Sequence, residues 1–321
     1  MKAMVYTPFG DTDVLHFSEV EKPKPAADDV LIRVKATTVT KSDAPHHIPK
    51  LLWVPSRIAL GAFMPSEEIL GTEFAGVVEA VGKNVRLFKP NDHVFGIVGV
   101  NSGTYAEYIR VQDDSMITLM PENTTFEEAA SLPYGALIAL QMLRDKAKVQ
   151  VGQKVLINGA SGALGAAAVQ IAKWLGAEVT GVCSTANMKF VRSVGADRVL
   201  DYSLHDFTLG ERSYDVVFDV ANTVCFDSCC NVLKPNGICL KLEAGLAEYY
   251  QMMSAIFFGK RRLACNHGID TNLDLVLLKD LVELGFLRPT IDRRYQFEEL
   301  QEARHYAEQM HSKGSVVISV S

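Results

Sequence analysis

Residues Lys154 to Gly165, KVLINGASGALG, constrain this chain more than any other stretch. An apolar run, Lys154 to Asn158, leads into a glycine turn and then a helix of small residues, Ala166 to Leu175, which Gly176 stops. A second apolar strand, Glu178 to Cys183, follows. Strand, helix and strand in this order make a βαβ unit, the building block of a parallel sheet. Ala160, Gly162 and Gly165 stand at the spacing A-x-G-x-x-G, a variant of the dinucleotide fingerprint. Gly162 lets backbone approach a pyrophosphate, and Gly165 lets the helix pack closely on the sheet. The expected cofactor-binding loop is therefore Ala160, Ser161, Gly162, Ala163, Leu164 and Gly165, with N–H groups at the helix start holding the phosphates. A structural strand-to-helix turn would also use glycine, but the complete βαβ unit around it favours the nucleotide.

The end of the second strand bears on which nucleotide. A site selective for NAD carries Asp or Glu about 20 residues beyond the first fingerprint position, where it accepts hydrogen bonds from ribose hydroxyls. Here the strand ends in Cys183-Ser184-Thr185. No carboxylate stands there to repel a 2′-phosphate, while Ser184 offers a hydroxyl and Lys189 a charge. NADPH is the expected cofactor. Read by itself, Lys189 is equally a solvated helix lysine.

At 321 residues the chain is long for one core, so two domains are expected. Hydrophobic residues at 48% and charged residues at 22% place it among ordinary globular proteins. A formal net charge of −6 argues against nucleic acid or an anionic membrane as partner. The opening MKAMVYTPFG lacks the basic and apolar regions of a signal peptide, and no apolar run reaches the roughly 18 residues of a membrane span. A cytoplasmic location is expected. The six cysteines all lie at or beyond Cys183 without a C-x-x-C pair. Cys225, Cys229 and Cys230 fall on one expected helix and read as small apolar residues rather than as a metal or redox site.

The pattern changes at Pro121 to Glu128, PENTTFEE, a polar stretch with helix-start chemistry. Before it, Val30 to Ala36, Phe74 to Val81, His93 to Val98 and Thr104 to Val111 read as short strands broken by turn residues. After it come strand Lys154 to Asn158, helix, strand Glu178 to Cys183, helix Asn187 to Val194, strand Arg198 to Asp201, strand Tyr214 to Val220, helix Thr223 to Leu233 and strand Ile238 to Leu242. That alternation predicts a doubly wound parallel sheet. Beyond Asn266 a Leu-rich helix near Leu275 to Leu284, a strand near Asp292 to Phe297, a helix to Met310 and a last strand, Val316 to Val320, close the chain.

GTEFAGVVEAVGKNV (Gly71 to Val85), LPYGALIAL (Leu132 to Leu140), VGQKVLINGASGALG (Val151 to Gly165), VGADRVLDY (Val194 to Tyr202) and SYDVVFDV (Ser213 to Val220) together resemble the medium-chain dehydrogenase/reductase superfamily, in order and spacing and over nearly the whole chain. The resemblance implies an α/β fold: a Rossmann doubly wound sheet over residues 125–265, and a GroES-like β-rich catalytic domain over residues 1–124 and 266–321, to which the tail returns. It further implies an NAD(P)H-dependent oxidoreductase with its active site in the cleft between domains.

In the zinc-dependent branch a Cys, a His and a second Cys hold the catalytic metal. The resemblance places Thr40, Thr72 and Tyr134 at those positions, and neutral hydroxyls are poor zinc ligands. The four-cysteine structural lobe is missing too, since no cysteine precedes Cys183. No metal is expected, and the chain is closest to the zinc-independent quinone oxidoreductases, the zeta-crystallin-like group. Lys41 and Tyr134 are the candidate catalytic proton donors, both at positions the resemblance puts near the nicotinamide; Tyr134 equally reads as filling the vacated metal pocket. Thr40 and Tyr202 join the expected cofactor contacts, with a partly buried structural tyrosine as the other reading of Tyr202. Ile138 replaces a Thr that many relatives keep near the nicotinamide. His46, His47 and Asp43 sit in an expected loop, solvated or near substrate.

Leu51 to Met64 and Tyr249 to Phe258 are rich in large apolar side chains and suggest a roomy pocket for a small, apolar, conjugated substrate, though either would also serve as core or dimer contact. The resemblance implies a homodimer joined through the last parallel strand near Arg262 to Cys265. Three functions stay open: a quinone reductase, an enone or alkenal double-bond reductase, and a protein that binds NADPH without turnover.

Overall fold

Strands joined by frequent turns make the front of the chain antiparallel. The computed structural model describes residues 1–6, 15–40, 68–98, 103–242, 262–265, 271–309 and 313–320. Its first strands are β1 (Lys2–Tyr6), β2 (Leu15–Glu19), β3 (Asp29–Val39), β4 (Glu68–Ile69), β5 (Glu73–Val81), β6 (His93–Ile97), β7 (Tyr108–Gln112) and β8 (Ile117–Leu119). β1 lies between β2 and β4. The longest strand, β3, pairs with β5 and also with β7, and β5 continues through β6 to β8. The expected strand Thr104 to Val111 begins only at Tyr108. Ahead of it, Tyr105 turns away to accept the Met4 N–H at 2.8 Å, and Ala106 bridges to Ala3. Helix α1 (Phe126–Ala130) starts at the polar stretch. Thr125 and Glu128 form a capping box there, each side chain accepting the other's backbone N–H.

The parallel part of the chain begins with α2 (Pro133–Leu140), which runs on as a π-turn over Gln141–Lys146. It continues through β9 (Lys154–Asn158), α3 (Ala163–Trp174), β10 (Glu178–Cys183), α4 (Met188–Ser193), β11 (Arg198–Asp201), β12 (Tyr214–Asp219), α5 (Phe226–Val232), β13 (Leu233–Lys241), β14 (Arg262–Cys265) and α6 (Asn272–Glu283). The six strands are ordered β11-β10-β9-β12-β13-β14 and pair in parallel, the doubly wound topology. Strand order reverses between β9 and β12, and ligands of such sheets bind outside the carboxyl ends at this switch. Val155, Leu156, Ile157, Val217 and Phe218 are fully buried, as the central strands of a sheet covered on both faces require.

The chain then returns to the antiparallel part with β15 (Ile291–Gln296), α7 (Leu300–Glu308) and β16 (Ser315–Ser319), and β16 pairs antiparallel with β3. Met4, Ile32, Phe74, Tyr105, Phe297 and Ile318 share its core. Two compact units result: Met1–Pro133 with Asp292–Met310 and Ser315–Ser321, and Tyr134–Ile291 with His311–Gly314. Beside the limits of residues 125–265 read from the sequence, this compact unit starts later and reaches further along the chain. It starts at Tyr134 and keeps α6, because Arg144 of the π-turn pairs with Asp274 at 2.7 Å and Gln170 of α3 exchanges hydrogen bonds with the Arg288 backbone at 2.9 and 3.1 Å.

Candidate functional site

β9 delivers the chain to the carboxyl end of the sheet, and backbone bonds shape the turn that follows. Gly159 turns in the left-handed region at φ +83°, and both its N–H and that of Ala160 donate to Val182 of β10, at 3.1 and 3.0 Å. Gly162 is the N-cap of α3, with no side chain to cap the first turn, and its carbonyl accepts the Ala166 N–H at 2.8 Å. The helix therefore begins three residues before the expected Ala166, so Ala163, Leu164 and Gly165 form its first turn.

The two fingerprint glycines differ in what they are for. A Cβ at Gly165 would collide with the Gly159 carbonyl oxygen and lie 2.9 Å from the Ala160 Cα, so close packing of helix on turn demands glycine. At Gly162 a Cβ would meet nothing nearer than the Gly159 oxygen at 3.9 Å, and φ −73° suits any residue. The fold does not need glycine at 162. The open space lies in front of a helix N-terminus that no side chain caps, where the partial positive charge and unpaired N–H groups suit a phosphate. That cradle fits a dinucleotide pyrophosphate. Ala160 is fully buried and Leu164 nearly so; they can offer a ligand only backbone.

The carboxyl end of β10 is built from side chains instead. Register pairs Cys183 with Asp201 of β11, so Ser184 and Tyr202 leave the sheet side by side, and the Tyr202 N–H donates to the Cys183 carbonyl at 3.2 Å. Burial, and then the Asp201 charge, push the Cys183 thiol up to about 11, so it stays a thiol. Ser184 is half-buried and opens the turn Thr185–Asn187, where its side chain makes no capping bond. Lys189 is exposed on α4. Tyr202 is 59% exposed. The structure thus brings Ser184 and Tyr202 together at one edge.

Reading the sequence missed the residues that hold this edge. Asp201 is buried and accepts the hydroxyls of Thr185 and Ser203, while Asn187 reaches from the turn to the Ser161 hydroxyl at 3.1 Å. The signal was a D-x-S stretch directly after a strand, where an Asp side chain takes the N–H two residues on. Across the switch point, Asp219 is fully buried at the end of β12. It accepts the Asn158 amide at 2.8 Å and the Val224 N–H at 2.9 Å, and the buried Lys241 donates to the Val224 carbonyl at 2.9 Å. These bonds set the turn from Val220 to Val224, where Asn222 takes φ +53°.

In the first unit Thr40 follows β3 and Thr72 precedes β5, both half-buried. These antiparallel neighbours pair Thr37 with Phe74, which brings Thr40 and Thr72 to the same end of the two strands. The surroundings are rich in hydroxyls: Thr38 donates to the buried Glu73 carboxylate, and Thr37 bonds the Glu73 carbonyl at 2.7 Å and Thr104 at 2.8 Å. Among the described residues, no three His, Cys, Asp or Glu side chains gather as metal ligands. Tyr134 is half-buried at the start of α2, and the next residue, Gly135, packs so closely on α3 that a Cβ there would lie 3.2 Å from the Leu164 nitrogen. Ile138 is buried in α2. Lys41, Asp43, His46, His47 and the segments Leu51 to Met64 and Tyr249 to Phe258 lie outside the described residues.

Residues 26–122 match the alcohol dehydrogenase GroES-like domain, and residues 194–318 match the zinc-binding dehydrogenase family. A zinc-type alcohol dehydrogenase-like protein of Schizosaccharomyces pombe is 31% identical over 95% of this chain and 92% of its own. The chain belongs to the medium-chain dehydrogenase/reductase superfamily. Another relative, the chloroplastic NADPH-dependent alkenal/one oxidoreductase of Arabidopsis thaliana, is 29% identical over 99% of this chain and 79% of its own. The solved structure of a quinone oxidoreductase from Coxiella burnetii superposes with a TM-score of 0.85 at 29% identity, covering 100% of this chain and 99% of that one. This medium-chain dehydrogenase/reductase therefore has the superfamily's oxidoreductase activity and its NAD(P)H-binding fold. No helix among its described residues is long and apolar enough to cross a membrane.

Proposed function

We propose that this protein is a zinc-independent oxidoreductase that uses NADPH to reduce a quinone-type acceptor. The observation that carries the dinucleotide reading is the open, uncapped helix start at Gly162, a glycine the fold does not require. Backbone N–H groups of Ala163 and Leu164 hold the pyrophosphate in this reading, and Ser184, Lys189 and Tyr202 surround the 2′-phosphate. Bound there, NADPH supplies the hydride. A quinone or enone spreads the resulting charge over a conjugated system, so the reaction does not need the Lewis acid that zinc enzymes use. Tyr134 or Lys41 holds the proton for the acceptor oxygen. The relative acting on alkenals and alkenones favours a second reading, reduction of an activated double bond by the same site. A cytoplasmic homodimer joined through β14, the last strand of the parallel sheet among the described residues, belongs to the same proposal.

Steady-state NADPH oxidation against a panel of quinones, enones and alkenals tests these readings. Turnover of quinones by a chelator-treated protein without stoichiometric zinc is the expected result. Turnover confined to enones or alkenals establishes the second reading. NADPH binding without turnover of any acceptor leaves a binding protein, and chelator inactivation with about one zinc per chain overturns the assignment.

A further inference from the structure

Asp201 closes β11 with its carboxylate buried and both oxygens occupied. Oδ2 accepts the Thr185 hydroxyl, and Oδ1 accepts the Ser203 hydroxyl at 2.6 Å and the Ser203 N–H at 2.9 Å. Its own carbonyl accepts the N–H groups of Leu204 and His205, at 3.2 and 3.0 Å. The donors come from two separate segments. Thr185 stands between Ser184 and the helix that carries Lys189, and Ser203 directly follows Tyr202. From the first of these segments Asn187 reaches Ser161 of the glycine loop at 3.1 Å. A single carboxylate thus fastens together the two stretches that present a hydroxyl, an ammonium and an exposed phenol at the ribose edge. The Ser203 and Thr185 hydroxyls hold its carboxyl below the usual carboxylate range, so the acceptor is fully ionised at neutral pH.

An acid on the neighbouring strand would ordinarily count against a 2′-phosphate. The oxygens of this one are taken up by three donors of its own chain. We propose that Asp201 is a positioning residue for cofactor choice: acting through Thr185 and Ser203, it holds Ser184, Lys189 and Tyr202 in the arrangement that favours NADPH over NADH, and touches neither cofactor. The inference rests on the NADPH reading above.

The test is a pair of binding titrations, NADPH and NADH, on the full-length wild type and on Asp201→Asn, Thr185→Val and Thr185→Ser. Asp201→Asn and Thr185→Val are expected to weaken NADPH about tenfold, comparable to losing one charge-assisted contact to phosphate, with NADH within about twofold of wild type. Thr185→Ser, which keeps the hydroxyl, is expected to keep the wild-type ratio. Equal weakening of both cofactors would reduce Asp201 to a merely structural residue and overturn the proposal; so would an unchanged ratio. A ratio that shifts towards NADPH in Asp201→Asn would mean that the carboxylate repels the phosphate, and also overturns it. If Asp201→Asn does not fold, the Thr185 pair decides alone. A wild type without NADPH preference sinks the cofactor reading and this inference together, whereas a preferring wild type with indifferent variants sinks only this one.

Discussion

Two neighbouring parts of the nucleotide unit meet the same expected ligand by opposite means. The glycine loop from Gly159 to Gly165 is shaped by backbone, with bonds to Val182 and an empty space where a side chain would stand. The edge from Cys183 to Ser203 is shaped by side chains, with Asp201 joined to Thr185 and Ser203, and Asn187 to Ser161. Every dinucleotide has a pyrophosphate, so a backbone cradle binds without choosing. Only a 2′-phosphate distinguishes NADPH, and choice needs directed polar side chains, which in turn need fixing.

The comparison breaks most severely at Gly165. Gly165→Val would drive a branched side chain into the Gly159 carbonyl and force α3 off the sheet. The expected outcome is loss of the folded nucleotide unit, seen as insoluble protein or a melting temperature lower by more than about 10 °C. Gly162→Val separates folding from binding. Its backbone is permissive and its surroundings empty, so the melting temperature should stay near wild type while affinity for NADPH and NADH alike falls by more than about 100-fold in a fluorescence titration. Wild-type affinity in that variant would place the nucleotide elsewhere.

At the side-chain edge the effects should be smaller and should favour one cofactor. Lys189→Ala is expected to weaken NADPH by roughly 10- to 150-fold and leave NADH alone, and Ser184→Asp to reverse the preference, measured as kcat/KM for both cofactors. Equal losses would show that this edge does not read the phosphate.

The smallest expected effect is on acid stability. Ser203 and Thr185 depress the Asp201 carboxyl. At Asp197 burial pushes the carboxyl up, but the bonds from Lys173 and the Val179 N–H outweigh it and the net shift is downward. Groups depressed in the folded state stabilise it fully above their unfolded value, about 3.9, and lose that contribution as pH falls through the lower folded value. Melting temperatures between pH 7 and pH 3 should therefore drop at the acid end, and the drop should be shallower in Asp197→Asn.

Much of the nucleotide unit was legible in the sequence. Strands β9 and β10 begin and end where their apolar runs do, because a strand buried on both faces admits little else and its polar neighbours mark where burial stops, and β11 keeps its expected limits as well. Boundaries read less well where a side chain or a distant segment intervened. The helix expected from Thr223 starts at Phe226, since Asp219 takes the Val224 N–H into the turn before it. Residues 104–107 lost their expected strand to contacts with β1, far away in the chain.

The glycine spacing and the alternation of apolar strands with helices belong to residue types, so the sequence alone determined the doubly wound sheet and the fingerprint, and the absence of an acid at Ser184 and the threonines at positions 40 and 72 carried the expectations of NADPH and of no zinc. Tertiary structure decided which glycine serves the fold and which leaves room for a ligand, because that depends on atoms six residues or a strand away. It also decided what Asp201 does. The side chain of Asp201 accepts from Thr185, sixteen residues earlier, as well as from its neighbour Ser203, and the first of these bonds exists only once β10 and β11 pair.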